Sequence, residues 1–306
     1  MIGDELLERV EAGGMLGGPG PLLAMLSGGR DSICVLDLAV RARGAEAVSA
    51  LHVNYGLREE ADTDEDHCAD LCQRLGVALE IERPRRSEGA GNLQAWAREE
   101  RYAAAARWAE ERDAAIVTGH TADDQVETIL YRLASSPSRR ALLGMKPKDG
   151  RLARPLLGTT RAETTAYCKQ RGLAWRDDAS NEEGDYKRNI LRRGAIPELE
   201  KIHPAAKQNV LRTAALLREE AGLLDSLVDA EIEAGEGTIP LERFAALHPA
   251  LRRLVLQRLA DEAAGRPVPG AARFAEQVAG LTRGGSVLDL GSGVRAVLDG
   301  GLIRAE

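Results

Sequence analysis

Short apolar runs alternate with longer helical patterns along residues 22–135, and that alternation restricts the available folds more than any other feature of the chain. The runs Leu22–Leu26, Val48–Asn54, Val77–Glu82 and Ala115–Thr118 have the length and composition of strands. Between and after them, Ser32–Arg43, Asp62–Leu75, Asn92–Arg112 and Asp123–Leu133 carry apolar residues at helical spacing. Such alternation builds βαβ crossovers, so the fold expected is α/β, a doubly wound parallel sheet with helices on both faces. Ligands of these sheets bind at the carboxyl ends of the strands. The loops at Ser27, Asn54 and Gly119 are therefore expected on one rim.

The pattern changes beyond Leu133. Ala134–Leu157 reads as loop, with Ser135-Ser136-Pro137, Lys146-Pro147 and Asp149-Gly150 as turn signals. Arg161–Arg171 reads as a helix closed by Gly172, and a polar connection follows from Asp177 to Asp185. From about Ala205 the pattern is helical, with Leu211, Ala215, Leu216, Leu223, Leu224 and Leu227 recurring, and another helix spans Leu247 to Ala264. The segments Ser286–Leu290 and Val294–Ile303, around Gly291-Ser292-Gly293, read as a β-hairpin. Two domains are expected, 1–204 and a smaller, mainly helical 205–306. Only 3% of the residues are aromatic, so Leu, Val, Ile and Ala must fill both interiors.

Several classes are excluded. Asp4, Glu5 and Glu8 stand where a signal peptide would be basic, and no apolar run reaches membrane-spanning length, which makes the cytoplasm the expected compartment. The four cysteines, Cys34, Cys68, Cys72 and Cys168, form neither a CxxC pair nor a zinc pattern; Cys68 and Cys72 share a helix face with Leu71 and Leu75 and read as core. The net charge of −7 argues against non-specific nucleic-acid binding, yet Ser138–Arg218 holds 18 Lys and Arg against 9 Asp and Glu. That asymmetry suits an anionic partner docked on one region, or a solvated basic surface.

Chemistry-bearing residues cluster at the predicted strand ends. Ser27-Gly-Gly-Arg-Asp-Ser32 joins the first strand to the first helix. Glycines let backbone N–H groups approach an anion, and the helix end adds partial positive charge. No G-K-[ST] follows, so this is not a Walker loop. Thr118-Gly-His-Thr-Ala-Asp-Asp-Gln-Val-Glu-Thr128 follows the fourth strand. At spacings of four and three, His120, Asp124 and Glu127 are expected on one helix face, with Asp123 beside them; such a set can bind Mg²⁺, hold an ammonium group or take a proton. Acids in a first helical turn also serve as caps. His52–Arg58 closes the second strand, where backbone groups could read an adenine edge or simply form an ordinary strand-to-loop exit. Arg98 and Arg101 lie one helical turn apart in Asn92–Tyr102, and Asp177–Asn181 precedes the basic cluster Tyr186–Arg193. Either cluster can meet phosphates or be a solvated face.

The ordered set resembles the tRNA(Ile)-lysidine synthetase family. The motifs that carry the resemblance are S-G-G-x-D-S at Ser27–Ser32, H-V-N-x-G-L-R at His52–Arg58, A-R-E-x-R-Y at Ala97–Tyr102 and G-H-x-x-D-D-Q-x-E-T at Gly119–Thr128. R-P-L-L at Arg154–Leu157, D-x-S-N with Y-x-R-N-x-x-R within Asp178–Arg192, and L-D-L-x-x-G-x-R-A at Leu288–Ala296 complete it. The chain departs from the family at Tyr55, where a His is common, and at Ala134–Met145, where a Gly-rich run is usual. The first motif alone resembles the PP-loop of ATP pyrophosphatases. The resemblance implies a PP-loop domain over 1–204 and a helical tRNA-binding domain with a terminal hairpin over 205–306. It implies a ligase that uses ATP to adenylate O2 of cytidine 34 in tRNA(Ile) bearing the CAU anticodon. L-lysine then attacks C2, and AMP and pyrophosphate are the by-products. ATP would lie on Ser27, Gly28, Gly29, Arg30, Asp31, Ser32, His52 and Val53, with Mg²⁺ on Asp31. Catalysis would fall to Asp31, His120, Asp124, Glu127, Arg188 and Arg192, with lysine on Asp124 and Glu127. No membrane partner is implied, and a homodimer stays open. The competing readings are a tRNA thiolase of the same fold, which would want paired cysteines, a small-molecule adenylating ligase, and an ATP- and RNA-binding relative without catalysis.

Overall fold

A computed structural model describes residues 2–57, 60–86, 92–135, 139–176, 186–233, 237–282 and 284–306. Arg58 and the D-x-S-N pattern at 178–181 lie outside the described residues. The chain divides into two compact units, Met1–Ala214 and Ala215–Glu306. The division falls inside the helix Ala206–Glu233, whose start lies beside the expected boundary near residue 205.

The first unit opens with α1 (Ile2–Ala12), a helix whose Leu6 and Val10 enter the core. Next come β1 (Leu22–Met25), α2 (Arg30–Arg43), β2 (Val48–Val53), α3 (Ala61–Leu75), β3 (Ala78–Glu82), α4 (Leu93–Glu111), β4 (Ala115–Val117) and α5 (Ala122–Ser135). All four expected strands and four expected helices of this region are present, with ends shifted by one or two residues. Strand order is β3-β2-β1-β4-β6-β5, where β5 is Lys148–Asp149 and β6 is Leu152–Ala153. The pairs from β3 to β6 are parallel, with Leu22 opposite both Val48 and Ala115, and β5 closes the edge antiparallel to β6. The expectation of a loop over Ala134–Leu157 is thus corrected: that segment holds a short helix, α6 (Arg139–Leu142), and two strands. Strands of two residues leave no periodicity to read; they exist because β4 offers an open edge.

Burial explains why β1 is apolar throughout. Leu22 and Ala24 face the core built with α1, α2, α3 and a helix α7 (Arg161–Arg171), while Leu23 and Met25 face a second core against Ala104, Ala105 and Ala109 of α4. A strand covered on both faces has no polar side. The ends of α7 follow local rules. Thr160 and Glu163 form a reciprocal capping box, and Gly172 takes a left-handed conformation (φ 64°) at the C-cap. Asn92 likewise caps α4, accepting from the Gln94 and Ala95 amides.

The second unit packs the latter part of Ala206–Glu233 and the helix Pro249–Ala264 with short helical turns and an antiparallel sheet. Its core holds Val228, Phe244, Leu256, Val268, Leu290, Ala296 and Ile303. The expected terminal hairpin is a larger sheet, ordered β7-β10-β9-β8, from Ile239–Pro240 (β7), Ser286–Gly291 (β8), Val294–Asp299 (β9) and Leu302–Ala305 (β10). Gly300 and Gly301, both at positive φ, turn the chain within what reads as one strand, Val294–Ile303.

Candidate active site at the strand ends

β1 and β4 are neighbours, yet the chain leaves β1 for β2 on its other side, so the crevice between their carboxyl ends is the topological switch point. Two sequence motifs meet there. The loop after β1 is held by its own serines: the Ser27 amide and hydroxyl donate to Ser32 Oγ (both 3.1 Å), and Ser32 Oγ donates to the Gly29 carbonyl (2.8 Å). Gly28 sits at φ 79°, where a side chain would be strained, and Gly29 is the N-cap of α2. The first turn of α2 is thereby aimed at the strand ends, with the positive end of its dipole outward.

The loop after β4 lies directly against that turn. A Cβ on Gly119 would stand 2.7 Å from the Ser32 nitrogen and closer still to the Asp31 carbonyl. Only glycine lets these two backbones touch. This contact locks the S-G-G-R-D-S loop to the G-H-T-A-D-D-Q motif.

Asp31 is a fifth exposed, and its carboxylate receives the Arg30 fork (2.9 and 3.0 Å) and the Thr164 hydroxyl (2.5 Å). Thr164, on α7, is a partner that no motif signalled. His52 is buried, with Nδ1 3.0 Å from the Leu26 carbonyl, so it ties the end of β1 to β2; burial holds its pKa below the usual value. Val53 is the last residue of β2 and is also buried. Tyr55, the departure noted above, donates to the Ala97 carbonyl (2.6 Å) and stacks edge-on against Trp96, anchoring α4.

One expectation about the second motif needs correction. His120 does not share a helix face with Asp124 and Glu127, because α5 starts at Ala122 and His120 stays in the loop, its Nδ1 2.8 Å from Thr118 Oγ1. Periodicity cannot tell the last loop residues from the first helical ones. Burial, only partly opposed by Asp124 and reinforced by Arg154, Arg98 and Arg101, brings the His120 pKa down to about 4. The imidazole is neutral at pH 7.

Asp124 accepts from the Thr121 amide and hydroxyl (both 2.8 Å), a cap as well as a charge. Burial would raise its pKa, but Arg161, the Thr121 hydrogen bonds and His120 outweigh it and keep the carboxyl below its usual range. Glu127 is almost fully buried and faces two guanidinium groups. Arg161 Nη1 donates to it at 2.8 Å, and Arg192 grips both oxygens at 2.8 and 3.0 Å. Arg161 also pairs with Asp124, and its backbone amide donates to Asp123 Oδ2 (2.8 Å). Lys207 completes the cluster, bridging Asp123 and Glu200, both at 3.2 Å.

Arg161 is the residue most visibly missed by sequence reading. It begins α7, far along the chain from α5, and only the fold joins them. Gln125 was missed too: it is buried, and its amide makes two hydrogen bonds to the Met145 backbone (2.7 and 2.9 Å), holding the segment after α6. Arg188 lies close enough to Arg132 that burial, then Arg98, Arg154 and Arg188, lower the Arg132 pKa. Arg98 and Arg101 both stack on Tyr102, at 4.7 and 5.8 Å from the ring centre. His120 thus stands in the field of Arg98, Arg101 and Arg154, with Asp124 the one opposing carboxylate. Among the described residues no group of three or more His, Cys, Asp or Glu can hold a metal ion, and all four cysteines are buried.

Residues 17–199 match the family model of the PP-loop domain. The chain belongs to the PP-loop family. Relatives within it include the tRNA(Ile)-lysidine synthase of Pseudomonas fluorescens, 38% identical over 242 residues, which covers 77% of this chain and 54% of the relative. The protein of the same name from Thermus thermophilus is 40% identical over 256 residues, covering 81% of this chain and 50% of the relative. The chain spans about half the length of these curated relatives. Among solved structures, the U34-tRNA thiolase of Methanococcus maripaludis superposes with a TM-score of 0.56 at 19% identity, covering 70% of this chain and 78% of that one. That likeness concerns the PP-loop fold.

Proposed function

We propose that this chain is a tRNA(Ile)-lysidine synthetase: with ATP it adenylates cytidine 34 of a CAU-bearing tRNA(Ile), and L-lysine then displaces AMP. The observation that carries this reading is the meeting of the glycine-rich loop 27–32 with an acid pair, the partly exposed Asp124 and the buried Glu127, on one rim. An adenylation needs the first and a dicationic amine the second. The relatives bearing that name support it.

The residues divide the work by their chemistry. The first turn of α2 and the loop Ser27–Ser32 would hold the triphosphate and stabilise charge on the leaving pyrophosphate. His52 and Val53, ending β2, would border the adenine. As a neutral imidazole His120 would shuttle a proton or contact the nucleotide, the second role being the one its low basicity suits. Asp124 and Glu127 would receive the lysine ammonium groups, since a desolvated cation without a partner is costly. Arg188 and Arg192 would hold a carboxylate or the tRNA backbone, and Ser138–Arg218 would grip the tRNA body, with affinity that falls as salt rises. The cytoplasm, where tRNA is processed, is the proposed place of action.

Mg²⁺ fits only as a shared ligand. Asp31 is a single carboxylate already engaged by Arg30 and Thr164, so the chain could hold the ion only together with phosphate oxygens. Bound there, the ion would neutralise pyrophosphate charge.

Mass analysis of the wobble nucleoside, after incubation of tRNA(Ile) with ATP and lysine, tests the reading. Lysidine and lysine-dependent AMP are expected. Sulfur at the wobble base, or AMP release indifferent to lysine, would refute it.

A further inference from the structure

The acid pair assigned to lysine has no open side at Glu127. Its side chain is 2% exposed, Oε1 accepts from both Arg161 Nη1 and Arg192 Nε (2.8 Å each), and Oε2 accepts from Arg192 Nη2 (3.0 Å). Three of its roughly four acceptor positions are filled, and at 2% exposure the remaining one on Oε2 is closed to solvent, so an ammonium group reaches this carboxylate only if a guanidinium moves aside.

The two arginines are not equally held. Arg161 is fixed at three points: its backbone amide on Asp123 Oδ2, one guanidinium nitrogen on Asp124 and another on Glu127. It begins a helix with a complete capping box and is 23% exposed. Arg192 has the Glu127 fork, is 38% exposed, and lies in a π-helical turn, Leu191–Ala195, between two short helices. Such turns interrupt regular helical hydrogen bonding and recur at functional sites. Lys207 stands on Asp123 and Glu200, away from Glu127.

We propose that Glu127 is a cation-exchange site: Arg192 occupies it in the free enzyme and yields it to the ammonium group of the amine substrate, while Arg161 stays as the fixed counter-ion that spaces Asp124 from Glu127. The inference rests on the lysine reading above. Arg192 released from Glu127 becomes available to a tRNA backbone phosphate, not to the lysine carboxylate, at the moment the amine is seated, which couples lysine entry to tRNA contact. Arg161 is a positioning residue in this scheme.

Opposite effects of the two arginines on lysine affinity are the test. Equilibrium dialysis of radiolabelled L-lysine against the full chain with saturating ATP gives the affinity, and steady-state AMP formation with tRNA(Ile) gives kcat and the lysine KM. Arg192→Gln removes the internal competitor, so lysine should bind about fivefold tighter, because the competent fraction rises, and the lysine KM should fall even as kcat falls. Arg161→Gln should weaken lysine binding about tenfold or more, since Asp124 and Glu127 lose the fork that sets their spacing. Arg161→Lys keeps the charge without the fork and should remain weak; it serves in place of the glutamine variant if that one does not fold. The KM for ATP should stay unchanged in all of them, which a general structural defect would not allow. If the wild-type chain binds lysine but Arg192→Gln binds it equally or more weakly, the exchange is refuted and the lysine reading stands. If the wild-type chain binds no lysine under these conditions, both fall.

Discussion

Gly119→Ala is the substitution that most directly probes how the site is assembled. The added methyl would meet the backbone of the first turn of α2, 2.7 Å from the Ser32 nitrogen and nearer still to the Asp31 carbonyl. Neither group can rotate away, as a flexible side chain would. Relief requires the end of β4 and the start of α2 to part by about 1 Å, the difference between the closest approach, at the Asp31 carbonyl, and an ordinary contact of about 3.4 Å. Overpacking of this kind costs about 1–3 kcal/mol, or about 2–4 °C of Tm for each kcal/mol in a unit of this size. The functional penalty should be larger, because a displacement approaching 1 Å at a reacting centre can cost about 100-fold in rate. ATP-dependent AMP release with tRNA(Ile) and lysine should therefore fall about 100-fold, with a drop of several degrees in Tm by scanning calorimetry. Gly158, around which a Cβ would meet nothing within 4 Å, provides the control, and Gly158→Ala should change neither quantity. Wild-type activity and Tm in Gly119→Ala would refute the claim that backbone contact couples the two motifs.

Three further outcomes are expected. Asp31→Asn should abolish pyrophosphate release, measured by a coupled phosphate assay, while Tm shifts by only a few degrees, because the carboxylate is partly exposed and Asn can still accept from Arg30 and Thr164. Gln125→Leu should cost about 2–4 kcal/mol in urea unfolding, leaving the Met145 amide and carbonyl without their partner, and should speed proteolysis around residues 143–147. His120 has its folded pKa lowered to about 4 from 6.5, so its neutral form supports the fold fully above pH 6.5. That support is lost as pH falls through the window from 6.5 to 4, by at most about 3 kcal/mol. Unfolding free energies of wild type and His120→Gln should diverge in that window, with the variant losing less stability on acidification.

Much of the first unit is legible in order along the chain. The apolar run of β1, buried on both faces, the glycines and serines of 27–32, and the caps at Asn92, Thr160 and Gly172 are local features, and local features act through neighbours in sequence. The sheet class and the rim on which Ser27, Asn54 and Gly119 lie follow from βαβ handedness and strand direction alone. The two-residue strands β5 and β6 and the break at Gly300-Gly301 were not legible, because a strand so short is defined by the edge it joins. The electrostatics of the site belong wholly to the tertiary structure. Asp124 and Glu127 show in the sequence as acids on a helix, but their counter-ions Arg161 and Arg192 lie 37 and 65 residues away and arrive only when α7 and the turn after it pack beside α5. The same holds for Thr164 on Asp31 and for the burial that neutralises His120. Sequence fixes which groups can ionise; which of them stay charged, and against what, depends on desolvation and distance, and those exist only once the chain has folded.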